Sequence, residues 1–276
     1  MTDQRLHPAN ARVAHESLRG TVDGVAFTQG ISRSVAVPVL DLQVTADAAR
    51  GSRDRQRLMG DLVNVLEDVD GRSFVVCPDG YVGYVDSTGL SDSVATTHFV
   101  STMATHAFQD EDFKSTTRFH LPFGARLRVQ AERQKFYETD VGYVPKKHLR
   151  PMDRPFEDPA TIAQMHFGVP YLWGGNSTLG IDCSGLIQAA LSACGINCPA
   201  DSDMQCDDLG TALADDAKLQ RGDLIFWKGH VGMMVDAETL IHANAHHMAC
   251  RYEPFDQACL RIETQGDGPV QVRKRL

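Results

Sequence analysis

A cysteine with two histidines at the right distance can carry out nucleophilic acyl transfer, and Cys183, His230 and His242 form such a set. Cys183 stands in Asp182-Cys183-Ser184-Gly185, just before Leu186, Ile187, Ala190 and Leu191, which recur at helical spacing. The thiol therefore falls at a helix start, where unpaired N–H groups and the helix dipole favour the nucleophilic thiolate. Such a nucleophile needs a base, and the base needs a group that fixes its tautomer. Eleven histidines are present, so position decides. His230 opens an apolar run after the turn Lys228-Gly229, and His242 lies in Leu240-Ile241-His242-Ala243. If these runs pair as antiparallel strands through a turn at 236–238, the two imidazoles meet on one face. His242 then engages the ring nitrogen that His230 does not use for Cys183. His246 and His247 are nearby and stand as alternatives for the third place.

The rival chemistry is a zinc site from His230, His242, His246 and Cys250, but that spacing matches no standard ligand pattern. A thiol mechanism needs no metal, so neither metal nor cofactor is expected. Gly174-Gly175 lacks the Gly-Lys-Ser/Thr ending of a phosphate loop. Cys194, Cys198, Cys206, Cys250 and Cys259 read as buried apolar residues or surface thiols. Trp173 and Trp227 read as core or groove-wall residues, and Met233-Met234 as core.

Helices are expected over 161–167, 184–194 and 201–213, and strands over 224–227, 231–235 and 240–243. Upstream, 151–159 carries three prolines and reads as a linker. From 31 to about 150 the pattern is of short strands with turns between them. That region repeats: Gly83-Tyr84-Val85 returns as Gly142-Tyr143-Val144, 59 positions later, and Gly60-Asp61-Leu62-Val63 as Gly124-Ala125-Arg126-Leu127. Duplication of a unit of about sixty residues explains this. The first thirty residues are polar, with a weak helical stretch around 8–18.

With 276 residues the chain suits two or three domains, and 42% hydrophobic with 23% charged residues is ordinary for a globular protein. A net charge of −9 argues against a nucleic-acid or anionic-membrane partner. The run Arg273-Lys274-Arg275 reads as a solvated tail. Residues 1–20 have no apolar segment and begin at Met1, so no secretory leader is expected, and no stretch reaches the roughly 18 apolar residues of a bilayer span. Seven cysteines without paired spacing read as reduced thiols, hence a cytoplasmic protein.

The motifs Pro170-Tyr171-Leu172-Trp173-Gly174-Gly175, Asp182-Cys183-Ser184-Gly185, Pro199-Ala200-Asp201-Ser202-Asp203-Met204-Gln205, Gly222-Asp223-Leu224-Ile225-Phe226-Trp227 and His230-Val231-Gly232 occur in a telling order. Over about 155–265 the chain resembles the NlpC-type cysteine peptidases, papain-like enzymes that cut stem peptides of bacterial cell walls. The repeated region resembles bacterial SH3-like barrels, although the tryptophan often found on the second hairpin is here Phe74 or Phe136. The combination is similar to the γ-D-glutamyl-L-diamino acid endopeptidases.

The resemblance implies an α+β papain-like domain preceded by two small all-β barrels. Its divisions are an N-terminal extension over 1–30, barrels over 31–92 and 93–152, and the peptidase domain over 153–276. It implies Cys183 as nucleophile, His230 as base and His242 as polar third member. Asp182, Ser184 and Ser202 would hold the L-Ala-γ-D-Glu end of a murein peptide, and Tyr171 and Trp173 would line the site. Tyr84 of the first barrel would close one end, helped by an acidic residue, Asp54 or Asp47. The expected reaction is hydrolysis of the γ-D-Glu–diamino acid bond of free stem peptides with an unblocked L-Ala, in peptidoglycan recycling. A monomer is expected. The rivals are a wall hydrolase acting on intact peptidoglycan, an amidase or acyltransferase on the same residues, and a non-catalytic binding module.

Overall fold

The computed structural model describes residues 3–47, 53–214 and 216–276, which fall into two compact units, Met1–Met152 and Asp153–Leu276. In the first unit, short β-rich runs form a seven-stranded antiparallel sheet. Its order is Arg53–Leu58, Val39–Gln43, Val82–Asp86, Arg72–Val76, Leu62–Val69, Ile31–Val35 and Leu90–Asp92. The remaining strands repeat this order. Thr117–Pro122, Ala104–Phe108, Gly142–Pro145, Phe136–Thr139 and Val129–Glu132 form one sheet, and Arg126–Leu127, His98–Val100 and Leu149–Pro151 another. The one departure is the counterpart of Leu62–Val69, which breaks at Arg128 and so divides the sheet. Both sets end through a 3-10 turn, Ser87–Gly89 in the first and Lys146–His148 in the second.

The N-terminal segment differs from expectation. In place of a helical stretch around 8–18, Val13–His15 is a strand paired in parallel with Ala26–Thr28. Val13 packs with Leu66 and Phe74, while Arg12 and Asn10 bind the Glu67 carboxylate. Burial of Val13 and Ala14 outweighs a helical pattern that offers too narrow an apolar face.

In the second unit, all pairings of the six-stranded sheet are antiparallel. The order is Thr211–Ala212, Val272–Arg275, Leu224–Trp227, His230–Met234, Thr239–Asn244 and Ala249–Pro254. Four helices accompany it: α1 Pro159–Met165, α2 Cys183–Ala193, α3 Ser202–Asp208 and α4 Phe255–Gln265. Helix α1 begins two residues earlier than expected, because Asp158 caps it through Ala160 N–H and Pro159 fits the first helical position. Helix α3 stops at Asp208 rather than running to 213. Two carboxylates oppose the dipole in its last turn, and Gly210 (φ +55°) turns the chain so closely that a Cβ would lie 2.4 Å from the Arg275 carbonyl oxygen.

Residues 272–275 are not a solvated tail but an interior strand. Lys274 is buried with its ammonium on the Asp207 carbonyl, Arg275 grips the buried Asp223 carboxylate with two bonds, and Arg273 lies over the Phe255 ring. Long basic side chains can bury their stems while their heads find partners, which is why charge alone misleads here. Helix α4 packs on the sheet through Phe255, Ala258 and Ile262, which join Ile225, Trp227, Met234 and Leu240 in one core.

Candidate active site

Cys183 is the first residue of α2 and Asp182 its N-cap, so the expected helix start is where the structure has it. The Asp182 side chain is buried and accepts from Gly185 N–H (2.6 Å), Gly174 N–H (2.9 Å) and the Ser184 hydroxyl (3.2 Å). It thereby satisfies a donor of the first helical turn and ties the 172–175 loop to it. The approach is close enough to demand glycine: a Cβ on Gly185 would stand 2.4 Å from the Gly175 carbonyl oxygen. Tyr171 sits within the electrostatic reach of both residues. Burial first, then the proximity of Cys183 and Asp182, pushes its phenol well above the ordinary range.

Helix α2 packs against the two strands that carry the histidines. Those strands pair through Met233↔Ile241 and Met234↔Leu240, around a turn in which Asp236 accepts from Glu238 and Thr239 N–H. The pairing brings His230 Nε2 to 2.9 Å from His242 Nδ1. His242 is fully buried, and its Nε2 lies 3.0 Å from Glu253 Oε2. Arg261, projecting from α4, donates to both Glu253 oxygens, each at 2.8 Å. Four side chains from four different elements thus form one connected row. His246 and His247 are not in it; His246 bonds Gln265 and His247 bonds Asn244.

The remaining expected residues fall into two groups. Ser184 lies in the first turn of α2, and Ser202 is the first residue of α3, half-buried. Gln205, fully buried, braces the two helices by donating from Nε2 to the carbonyls of Ser184 and Pro199, 2.9 Å each. Trp173, within the 172–175 loop, is 70% exposed, a surface residue rather than core. Tyr84, Asp54 and Asp47 belong to the first unit. Tyr84 packs on Phe74 with ring centroids 5.1 Å apart, Asp54 is half-buried in Arg53–Leu58, and Asp47 is exposed. Among the described residues no cluster of His, Cys, Asp and Glu is arranged to hold a metal ion.

Glu253 and Arg261 escaped the sequence reading. The strand Ala249–Pro254 and helix α4 were not expected, although Phe255, Ala258 and Ile262 are spaced for a buried helical face. A glutamate facing a buried histidine becomes visible only once that strand pairs with the histidine's own.

Burial, and then the neighbouring His242, lowers the His230 imidazole to about 3, so it rests in the neutral form. Burial likewise lowers His242, against the pull of Glu253. Burial opposes ionisation of Glu253, yet the bonds from Arg261 and His242 outweigh it and hold the carboxyl far below its usual range. All three groups bind protons less readily folded than unfolded, so the unfolded chain takes up more protons on acidification. Their stability contribution is complete above about pH 6.5, the ordinary histidine value. It is lost as pH falls, through the histidines first and then, below the ordinary carboxyl value of 4.5, through Glu253. The two tryptophans, Trp173 and Trp227, both lie in this unit and report its unfolding alone. The melting temperature they record is expected to drop by several degrees between pH 7 and pH 4.5; a flat profile would contradict this account.

Residues 168–261 match the model of the NlpC/P60 family, and residues 45–90 match the bacterial dipeptidyl-peptidase Sh3 domain. The chain is 28% identical over 210 residues to a gamma-D-glutamyl-L-lysine dipeptidyl-peptidase of Bacillus cereus, covering 67% of this chain and 62% of that protein. It is 36% identical over 95 residues to the Bacillus subtilis protein of the same name, covering 32% of this chain and 31% of that one. The chain thus spans less than two thirds of the length of these relatives. A solved NlpC/P60 family protein from Bacillus cereus shares the fold, with a TM-score of 0.73 over 88% of this chain and 99% of that one at 19% identity. No helix among the described residues is long and apolar enough to cross a membrane. The matched residues include Cys183 at the start of α2, both histidines and Glu253, so residues 168–261 are similar to the NlpC/P60 family and residues 45–90 to an SH3-like domain.

Proposed function

We propose that this protein is a cysteine peptidase that hydrolyses the γ-D-Glu–diamino acid bond of free stem peptides, releasing L-Ala-γ-D-Glu. One observation carries the reaction type: a cysteine at the first position of α2, packed on strands that present the His230–His242 hydrogen bond. The choice of bond follows the two Bacillus relatives, whose names specify a γ-D-glutamyl-L-lysine substrate.

Cys183 passes its thiol proton to His230 and attacks the amide carbonyl. N–H groups of the first turn of α2, assisted by the Tyr171 hydroxyl, hold the oxyanion. His230 gives its proton to the departing amine. Water, deprotonated by His230, then releases the acyl group and restores the thiol. Asp182 attracts the free L-Ala ammonium, and the hydroxyls of Ser184 and Ser202 receive the γ-D-Glu portion, with Trp173 as a wall. No cofactor enters the reaction. We assign the protein to the cytoplasm on its seven free thiols, and the strands over 98–151 to a second SH3-like barrel on their repeated order.

Incubation with L-Ala-γ-D-Glu-diaminopimelate and with the same peptide acetylated on alanine tests the assignment. Release of dipeptide from the free peptide and little from the acetylated one is expected. Equal cleavage of the two would remove the ammonium requirement and favour a hydrolase of intact wall, and cleavage of neither would remove the reaction.

A further inference from the structure

We propose that Glu253, clamped by Arg261, is a positioning residue that sets the tautomers of His242 and His230, extending the catalytic row to five residues. The inference rests on the reading of Cys183 and His230 as nucleophile and base. It follows from counting donors and acceptors along the row.

Arg261 has no acceptor atoms, so its two bonds to Glu253 fix the carboxylate as acceptor at both oxygens. The 3.0 Å contact of Glu253 Oε2 with His242 Nε2 is then a hydrogen bond only if that nitrogen carries the proton. A neutral imidazole holds one proton, so His242 Nδ1 is left with a lone pair. The 2.9 Å contact at that atom in turn requires the proton of His230 to be on Nε2. His230 Nδ1 is therefore the unprotonated nitrogen, the one that can take the thiol proton. A carboxylate in the last strand of the row determines which nitrogen of the base is basic, two residues away.

The pair also shapes the charge. When His230 accepts the thiol proton, the negative Glu253 favours the imidazolium and Arg261 opposes it. The other titratable groups near the rings are His247, past the end of the His242 strand, with His246 beside it, and Arg251, opposite His242 on the neighbouring strand. Cys183 and Tyr171 stand on the helix side.

Glu253→Gln discriminates a tautomer-setting role from a purely structural ion pair. Arg261 would hold the new amide oxygen, turning its NH2 toward His242 Nε2. Every proton in the row then reverses, and His230 carries its own on Nδ1, where it cannot act as base. Removing Arg261 as well, in Glu253→Gln with Arg261→Met, frees the amide to rotate and restores the acceptor.

The first measurement is the 15N NMR tautomer pattern of His230 and His242 in the unaltered protein. Protons on Nε2 of both rings are expected, and Nδ1–H on His242 would overturn the proposal. The second is the pH dependence of Cys183 alkylation by iodoacetamide, which needs no peptide. The single variant is expected to lose on the order of 100-fold in reactivity at neutral pH, and the double variant to regain about tenfold of it. A structural pair would give wild-type reactivity in the single variant, or no recovery in the double variant with melting temperatures matched, and either result overturns the proposal. Because neither measurement uses a peptide, correct tautomers without peptide cleavage would leave this inference standing and remove the proposed substrate instead.

Discussion

Cys183→Ala is expected to lower kcat on L-Ala-γ-D-Glu-diaminopimelate by about ten-thousand-fold or more, while KM and the fold change little. The size follows from the role: without the thiolate no acyl-enzyme forms, and only the polarising groups of the site remain. Residual turnover would come from water oriented by the first turn of α2 and by Tyr171. The fold should tolerate the change, because a buried thiol replaced by a methyl leaves a void of one atom, costing about 1 kcal/mol. Dipeptide release by chromatography, beside a melting curve for each protein, measures both. An alanine variant retaining a tenth of wild-type activity would remove Cys183 from the chemistry.

Asp182 is expected to give the next greatest effect, in two separable parts. Its carboxylate serves three donors around the start of α2, so Asp182→Ala strands buried N–H groups of Gly174 and Gly185. A stability loss of about 2–4 kcal/mol is expected from the missing cap and the unpaired donors together. Asp182→Asn keeps an acceptor for Gly185 N–H but removes the charge and sets an NH2 against Gly174 N–H. It should cost less stability, about 1–2 kcal/mol. It should also lower kcat/KM for the free peptide on the order of tenfold more than for the acetylated one, because only the former presents an ammonium. If both peptides lose equally, Asp182 acts as a helix cap alone.

The surroundings of Cys183 could be read from sequence because their signals are local. A capping aspartate, a cysteine and a helical apolar run occupy consecutive positions, and their backbone roles are set within one turn. The His230–His242 pairing was legible too, since a short turn between two apolar runs leaves few registers. Glu253 and Arg261 were not, because their meaning comes from tertiary pairing: an alternating charged strand and a helix with modest apolar content look like surface until both are docked. Residues 272–275 failed for a related reason, since a run of three basic residues gives no sign that their stems are covered. The N-terminal segment failed because a three-residue strand carries too little periodicity to compete with a weak helical pattern.

The interior placement of Val272–Arg275 has a consequence for biosynthesis. These residues are made after every other strand of their sheet, yet they lie between Thr211–Ala212 and Leu224–Trp227. While they remain in the ribosomal tunnel, the Leu224–Trp227 strand keeps an unpaired edge beside the His230 strand, open to chaperones or to other nascent chains. Maturation of the thiol site therefore waits on residues 272–275 leaving the tunnel, and a truncation that removes them opens the sheet from within rather than trimming its margin.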